Sequence, residues 1–470
     1  MKNKIIFIIL VMFILNGMNN ARQLNDLAVV SAIGVDINEK GQYIITSQIL
    51  NPKKENSSGS GGSSSKESSD IVVYNSTSNT IQNAIRNIIE ESPRRLYLAH
   101  MDLLLISEKV ARKENILDEL DFFIRDNEGS NDFMLVITKE TNPQKVLEVL
   151  TPLETNPSKN IKDSIVATSK YKGICTDKTL SENMSMFLKD GQGAVLTSIE
   201  LDYGNEEIEN SKVLQEENKK TNEITKEEDL KNESEIISKK DSTQKANEQD
   251  EQKNVGKSSG NKEVGQNDES SNENQTNNSK MDTSKENTVN SSNAKIKISY
   301  LGYFRQKSLN GYLNYDSSFI YNLLNNDIQS GVIQSGKDDD VIVIDIINSK
   351  VNKKPKVEDN KFKMDVNINI TCSLAEVGKN IKFCECDNVE KYQNQVENTI
   401  KEKVEEFLKL SQTEYNCDLM AYGITYYKKM NKEYNKMMEM YSKDDYFKHI
   451  ESNINVEVKF ENEGGIYNIW

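Results

Sequence analysis

Two apolar stretches rich in β-branched residues, Ala28–Ile37 and Tyr43–Leu50, flank the polar segment Asn38-Glu39-Lys40-Gly41. This is the pattern of a β-hairpin closed by a glycine-bearing turn. Ahead of it, Ile5–Leu15 is an unbroken apolar run of 11 residues preceded by Lys2 and Lys4. A spanning helix needs roughly 20 apolar residues, so residues 1–20 read as a signal-like segment for export. Past the hairpin, Ile71–Tyr74 and Leu103–Ile106 are short buried strands, and Phe133–Thr138 is another. Between them the period changes. Thr80 is placed to cap a helix carrying Ile81, Ile85, Ile88 and Ile89 on one face, and Ser107 to cap the next. Ile116–Asp126 is plainly amphipathic. Asn142-Pro143 and Asn156-Pro157 each open a helix with proline at its first position, and Thr179–Lys189 is a further helix. Alternating strands and helices predict a mixed α/β domain over residues 21–203.

The pattern resumes at Lys295. Ile296–Asn314 alternates like a hairpin, with Asn310-Gly311 in its second half, and a helix follows over Asp316–Asn325. Strands are expected over Val341–Lys350 and Phe362–Leu374. In the second, Met364, Val366, Ile368 and Ile370 alternate with polar residues, as in a half-exposed antiparallel strand. A helix over Asn388–Leu410 shows Val389, Tyr392, Val396, Ile400, Val404, Phe407 and Leu408 at helical spacing. More helix is expected between Cys417 and Tyr441, then a closing strand, Ile454–Phe460.

Composition changes the picture in two places. Residues 53–70 are Ser/Gly-rich and form a loop. Residues 204–293 hold no aromatic residue and no proline, and carry 21 acidic residues against 13 lysines, so −8 of the chain's −15 net charge lies there. Such a segment buries too little apolar area to offset chain entropy, and it is expected to be a disordered acidic insert. It separates the 21–203 domain from a C-terminal region, 294–470. The overall charge and a 36% apolar content disfavour a nucleic-acid partner, which would ask for a basic face.

Candidate chemistry is sparse. His100 has Asp102 nearby, but residues i and i+2 of a strand share a face without forming a base and its orienter, and no G-x-S-x-G elbow accompanies them. Cys372, Cys384, Cys386 and Cys417 include one C-x-C pair, a weak match to zinc-ligand spacing. A Cys384–Cys386 disulfide or free thiols is the more ordinary expectation. No phosphate loop or H-E-x-x-H helix is present. Catalytic, cofactor and metal residues are therefore expected to be none.

Several segments carry a resemblance. Leu15-Asn16-Gly17-Met18, Leu24-Asn25-Asp26-Leu27-Ala28, Ile33-Gly34-Val35-Asp36 and Asn51-Pro52 follow, in order, the start of the GerAC-like spore germination lipoproteins, the C subunits of nutrient germinant receptors. Arg94–Ser107 (RRLYLAHMDLLLIS) and Phe122–Glu128 (FFIRDNE) resemble two more family segments. So do Gly302, Phe304, Leu309, Gly311 and Leu313, and so does Asp418-x4-Gly423 with the final strand. Met18 stands where the family has its lipidated cysteine. A thioether is no acceptor for that lipid, so lipidation is not expected. The family's C-terminal tryptophans are absent, and Tyr434 and Tyr441 stand near their places. The resemblance implies an α+β fold of several small sheet-and-helix domains, the C-terminal region forming two subdomains. It implies a non-enzymatic subunit on the outer face of the inner spore membrane, partnered by A and B subunits and answering a nutrient germinant. The alternative is an exported hydrolase, which would need a nucleophile–base set, or a solute-binding protein, which would show two similar lobes.

Overall fold

The computed structural model describes residues 26–51, 71–126, 129–149, 156–189, 192–203, 294–381, 386–443 and 445–461. The signal-like segment with Met18, the Ser/Gly-rich loop, the acidic insert, Cys384 and the side chain of Cys386 lie outside them.

The expected N-terminal hairpin is present as β1 (Leu27–Ile37) and β2 (Tyr43–Leu50). Asn38 shapes its turn: the side-chain carbonyl accepts the N–H groups of Lys40 and Gln42, and Gly41 takes the left-handed conformation. β3 (Ile71–Ser78) pairs with β2 and runs farther than its apolar start suggested. Thr80 caps α1 (Ile81–Asn87), which tightens into a 3-10 turn at Ile88–Glu90. A short β4 (Arg95–Tyr97) and then β5 (Leu103–Ser107) both lie parallel to β1. Ser107 caps α2 (Glu108–Ala111), and α3 (Ile116–Arg125) follows. Next come β6 (Met134–Thr138), α4 (Pro143–Glu148), α5 (Pro157–Lys172) and α6 (Leu180–Phe187). Both prolines sit at the first helical turn behind an asparagine cap.

β7 (Ala194–Asp202) has no counterpart in the sequence reading, although all of its first six residues are buried. It pairs antiparallel with β8 (Lys295–Arg305), so Asp202 and Lys295, the residues bracketing the insert, face each other across one ladder. β9 (Ser308–Tyr312) returns from β8. Its turn is Gln306-Lys307, both at positive φ, rather than the nearby Asn310-Gly311. The first sheet therefore runs β3-β2-β1-β5-β6-β7-β8-β9 and crosses the insert. Helices cover both faces. Leu103 and Leu105 meet Val146, Leu147, Ile161 and Ile165 of α4 and α5, while Leu104 and Ile106 meet Ile85, Leu120, Phe123 and Phe187 of α1, α3 and α6.

α7 (Tyr315–Leu324) joins the two halves. Its Asn322 donates to the carbonyls of Gly173 and Cys175 at 2.8 and 3.1 Å, and Phe319, Ile320 and Leu323 enter the second core. That core lies on a four-stranded sheet of β10 (Val332–Ser335), β11 (Ile342–Glu358), β12 (Lys361–Val377) and, last in the chain, β13 (Ile450–Phe460). β11 continues beyond the expected Lys350 and through Pro355. β10 covers only Ile342–Asp345, so β11 is an edge strand at Pro355 and the missing N–H faces away from the ladder. α8 (Cys386–Thr413) lays Tyr392, Val396, Ile400, Val404 and Phe407 on this sheet, as its spacing predicts. The helical stretch beyond it is broken at Met430 into α9 (Tyr422–Lys429) and α10 (Asn431–Met440). The α+β class is as expected, and no described helix is long and apolar enough to cross a membrane.

Candidate functional site

His100 lies in an exposed turn between β4 and β5, not in a strand, and its ring meets Tyr97 edge-on at 5.7 Å. Asp102 faces elsewhere: Lys162 of α5 donates to it at 2.8 Å. The backbone of Asp102 ties β1 to β6, donating to Ser31 and accepting from Met134. The pair is thus divided between an exposed turn and a lysine bridge, which suits no general base.

The cysteines are likewise dispersed. Cys372 is buried in β12 and Cys175 behind α5, and burial pushes both thiols up to about 12. Cys417 follows α8 and donates its S–H to the Phe304 carbonyl at 3.3 Å. Among the described residues no group of three or more His, Cys, Asp or Glu is placed to hold a metal.

Two places gather functional groups. The first is a cleft of about 640 Å³ between the start of β2, the N-terminus of α1, β4 and α3. Tyr43, Thr80, Gln82, Arg95, Asp118, Asp121, Phe122, Arg125 and Asp126 line it. It is here that the Arg94–Ser107 and Phe122–Glu128 segments meet. Arg125 bonds both Asp121 oxygens at 2.7 Å, on an open surface where such a pair contributes little stability. Behind it Lys113 bridges the Tyr43 hydroxyl and Glu119, each at 2.9 Å. Burial and the Glu119 carboxylate push the Tyr43 hydroxyl up. The cleft thus presents charges of both signs on an open wall.

The second place is the start of α9. Ala421, in the left-handed conformation, occupies the N-cap position and offers no side-chain acceptor. Asp418 supplies it, accepting the N–H groups of Tyr422 at 3.0 Å and Gly423 at 2.7 Å, and the Tyr446 hydroxyl at 2.6 Å. Burial pushes this carboxyl up, against the pull of those three donors and of Lys353. Lys353 reaches in from β11 to donate to the Met420 carbonyl at 2.5 Å, and burial lowers its pKa to about 8. The Asp418 carbonyl accepts the Gly193 N–H at 2.8 Å, which joins this knot to the head of β7. A Cβ on Gly193 would collide with the Cys417 sulfur. Asp418-x4-Gly423, found in the sequence as a motif, is therefore a buried helix cap. Its partners Lys353, Tyr446 and Gly193 carried no sequence signal, because each comes from a distant element. Tyr434 is buried against Tyr427, and Tyr441 stacks on His449 at 3.8 Å.

The architecture is that of a two-sheet α+β protein with charge-lined surface clefts and a charged knot where its halves join. Residues 20–201 match the family described as Spore germination protein N-terminal domain, and residues 299–464 match Spore germination B3/GerAC like, C-terminal. The chain belongs to this GerAC-like family of spore germination proteins. It is similar to Spore germination protein KC of Bacillus subtilis (strain 168), with 30% identity over 168 residues, 36% of this chain and 41% of that protein. The match thus spans less than half of that relative's length. Among solved structures, the crystal structure of the GerBC protein aligns over 92% of this chain and 97% of that one, at 15% identity and a TM-score of 0.49.

Proposed function

We propose that this chain is the C subunit of a nutrient germinant receptor, a non-enzymatic component on the outer face of the inner spore membrane, working with A and B subunits. The observation that carries the reading is the family match on both sides of the insert, in chain order, with strands from both matched stretches joined in the first sheet. The non-enzymatic part is supported by the separation of His100 from Asp102, the best catalytic candidates. The mixed-charge cleft at Arg125 is the proposed partner-facing surface. Disrupting the gene should slow germination in nutrient while growth and sporulation stay normal. An unchanged nutrient response, in a strain without a paralogue, would overturn the reading. Co-purification of the A and B subunits with the tagged chain, weakened by Arg125→Glu, tests the partner surface.

A further inference from the structure

A second cavity, of about 240 Å³, opens at the junction of the two halves, bounded by the end of α6, the β8–β9 turn, the Asp418 loop and the segment before β13. Its floor is aromatic: Phe187 and Phe304 meet edge-on at 5.1 Å, and Phe447 lies buried beside Tyr446. Its rim is basic. Lys189, Arg305, Lys307 and Lys443 line it, and the first three have no acidic partner among the described residues. The Nε of Arg305 is buried with no hydrogen-bond partner. The described acidic residue in the lining is Asp418, which is already engaged by two amides and a tyrosine hydroxyl.

Leaving a guanidinium nitrogen buried and unbonded is unfavourable unless something accepts from it. Four cations around an apolar floor, three of them without an acidic partner among the described residues, form a site that an anion completes.

We propose that this cavity binds a small organic carboxylate. Its charged end would accept from Arg305, with Lys307 and Lys189 at the rim, and its apolar body would lie over Phe187 and Phe304. A planar guanidinium suits a carboxylate because two parallel N–H bonds match its two oxygens. An aromatic floor favours an organic anion over a bare inorganic one, since part of the cavity wall has nothing polar to offer. The proposal stands on the cavity itself and does not rest on the receptor reading.

The test is calorimetric titration of the full chain with phenylacetate, with neutral phenylacetamide and with inorganic phosphate. Saturable binding of phenylacetate is expected, with phenylacetamide and phosphate much weaker. Arg305→Gln should weaken phenylacetate about tenfold or more, the loss of one charged hydrogen-bonding partner. Lys307→Gln, in an exposed turn, should weaken it a few-fold with the melting temperature unchanged. No saturable binding of phenylacetate would overturn the proposal. So would equal binding of phenylacetamide, which would mark an apolar pocket only, or a preference for phosphate. If Arg305→Gln lowers the melting temperature, Lys307→Gln decides, and unchanged affinity in that variant overturns the proposal.

Discussion

The two sheets bury their strands in different ways. In the first, β5 lies between β1 and β6 with helices on both faces, and Leu103, Leu104, Leu105 and Ile106 are all buried. In the second, β12 buries Met364, Val366, Ile368 and Ile370, while the residues between them, Lys363, Asp365, Asn367 and Asn369, stay at least partly exposed. Parallel strands connected by helices are covered on both sides, whereas an antiparallel hairpin can leave one face to solvent. A continuous apolar run and an alternating one therefore mark different surroundings for the same local conformation. The enclosed polar groups differ too. The strands of the first sheet bury neutral ones, such as Ser31, Gln48, Thr138 and Ser198, and the end of the second sheet encloses the charges of Asp418 and Lys353.

The sharpest way to break this comparison is substitution along the two strands. Leu104→Ala and Leu105→Ala point to opposite faces, yet each should cost about 3–4 kcal/mol in urea unfolding. In β12, Ile368→Ala should cost a similar amount and Asn367→Ala less than about 0.5 kcal/mol. Equal costs at Ile368 and Asn367 would mean that the outer face of the second sheet is covered.

Asp418→Ala strips three donors of one buried acceptor and should cost about 3 kcal/mol, with α9 loosening first. Amide exchange at Tyr422 and Gly423 reports this directly.

The charged knot also predicts a pH dependence. Burial lowers Lys353 from its ordinary 10.5 to about 8, so between those values the unfolded chain holds a proton that the folded chain has lost. The Lys353 contribution to stability therefore rises with pH across that window, by on the order of 3 kcal/mol in total, and is constant below it. The buried thiols of Cys175 and Cys372 act in the opposite sense above about 9.0, so the informative quantity is wild type minus Lys353→Met. A flat difference between pH 7.5 and 10 would place the Lys353 ammonium in water.

Two smaller effects concern how the first sheet is covered and interrupted. A Cβ on Gly34 of β1 would lie 2.5 Å from the Pro143 Cβ of α4, so Gly34→Ala should lower stability by about 1–3 kcal/mol as that helix is pushed off the sheet. Replacing residues 204–293 by a short turn should cost nothing. The paired Asp202 and Lys295 already bring its ends together, and a shorter loop closes with a smaller entropy loss, a gain of up to about 2–3 kcal/mol. A loss of stability in that deletion would show that the insert supports the fold.

Much of the local structure was legible in the sequence, because it depends on near neighbours. Thr80 and Ser107 cap the helices they were expected to cap, and Asn142-Pro143 and Asn156-Pro157 open theirs with proline in the first turn. The alternation in β12 and the spacing in α8 named the buried faces before any partner was known. Side-chain burial follows the period of the element that carries it. The misses have physical reasons of the opposite kind. β11 runs through Pro355 because no strand lies outside it there, and the β8–β9 turn falls at Gln306-Lys307, both at positive φ, which leaves Asn310-Gly311 inside β9.

Neither cleft was visible in the sequence. Arg95 and Arg125 reach one cleft from separate elements, and Arg305 stands beside Cys417 in the other, more than a hundred residues away along the chain. Pattern along the chain settled which segments fold, with what period and with which face inward. Tertiary structure alone decided that β7 and β8 join across the insert, that Asp418 is a buried cap answered by Lys353, and that four cations share one cavity. Those outcomes depend on contacts between residues far apart in sequence, and no local periodicity records such contacts.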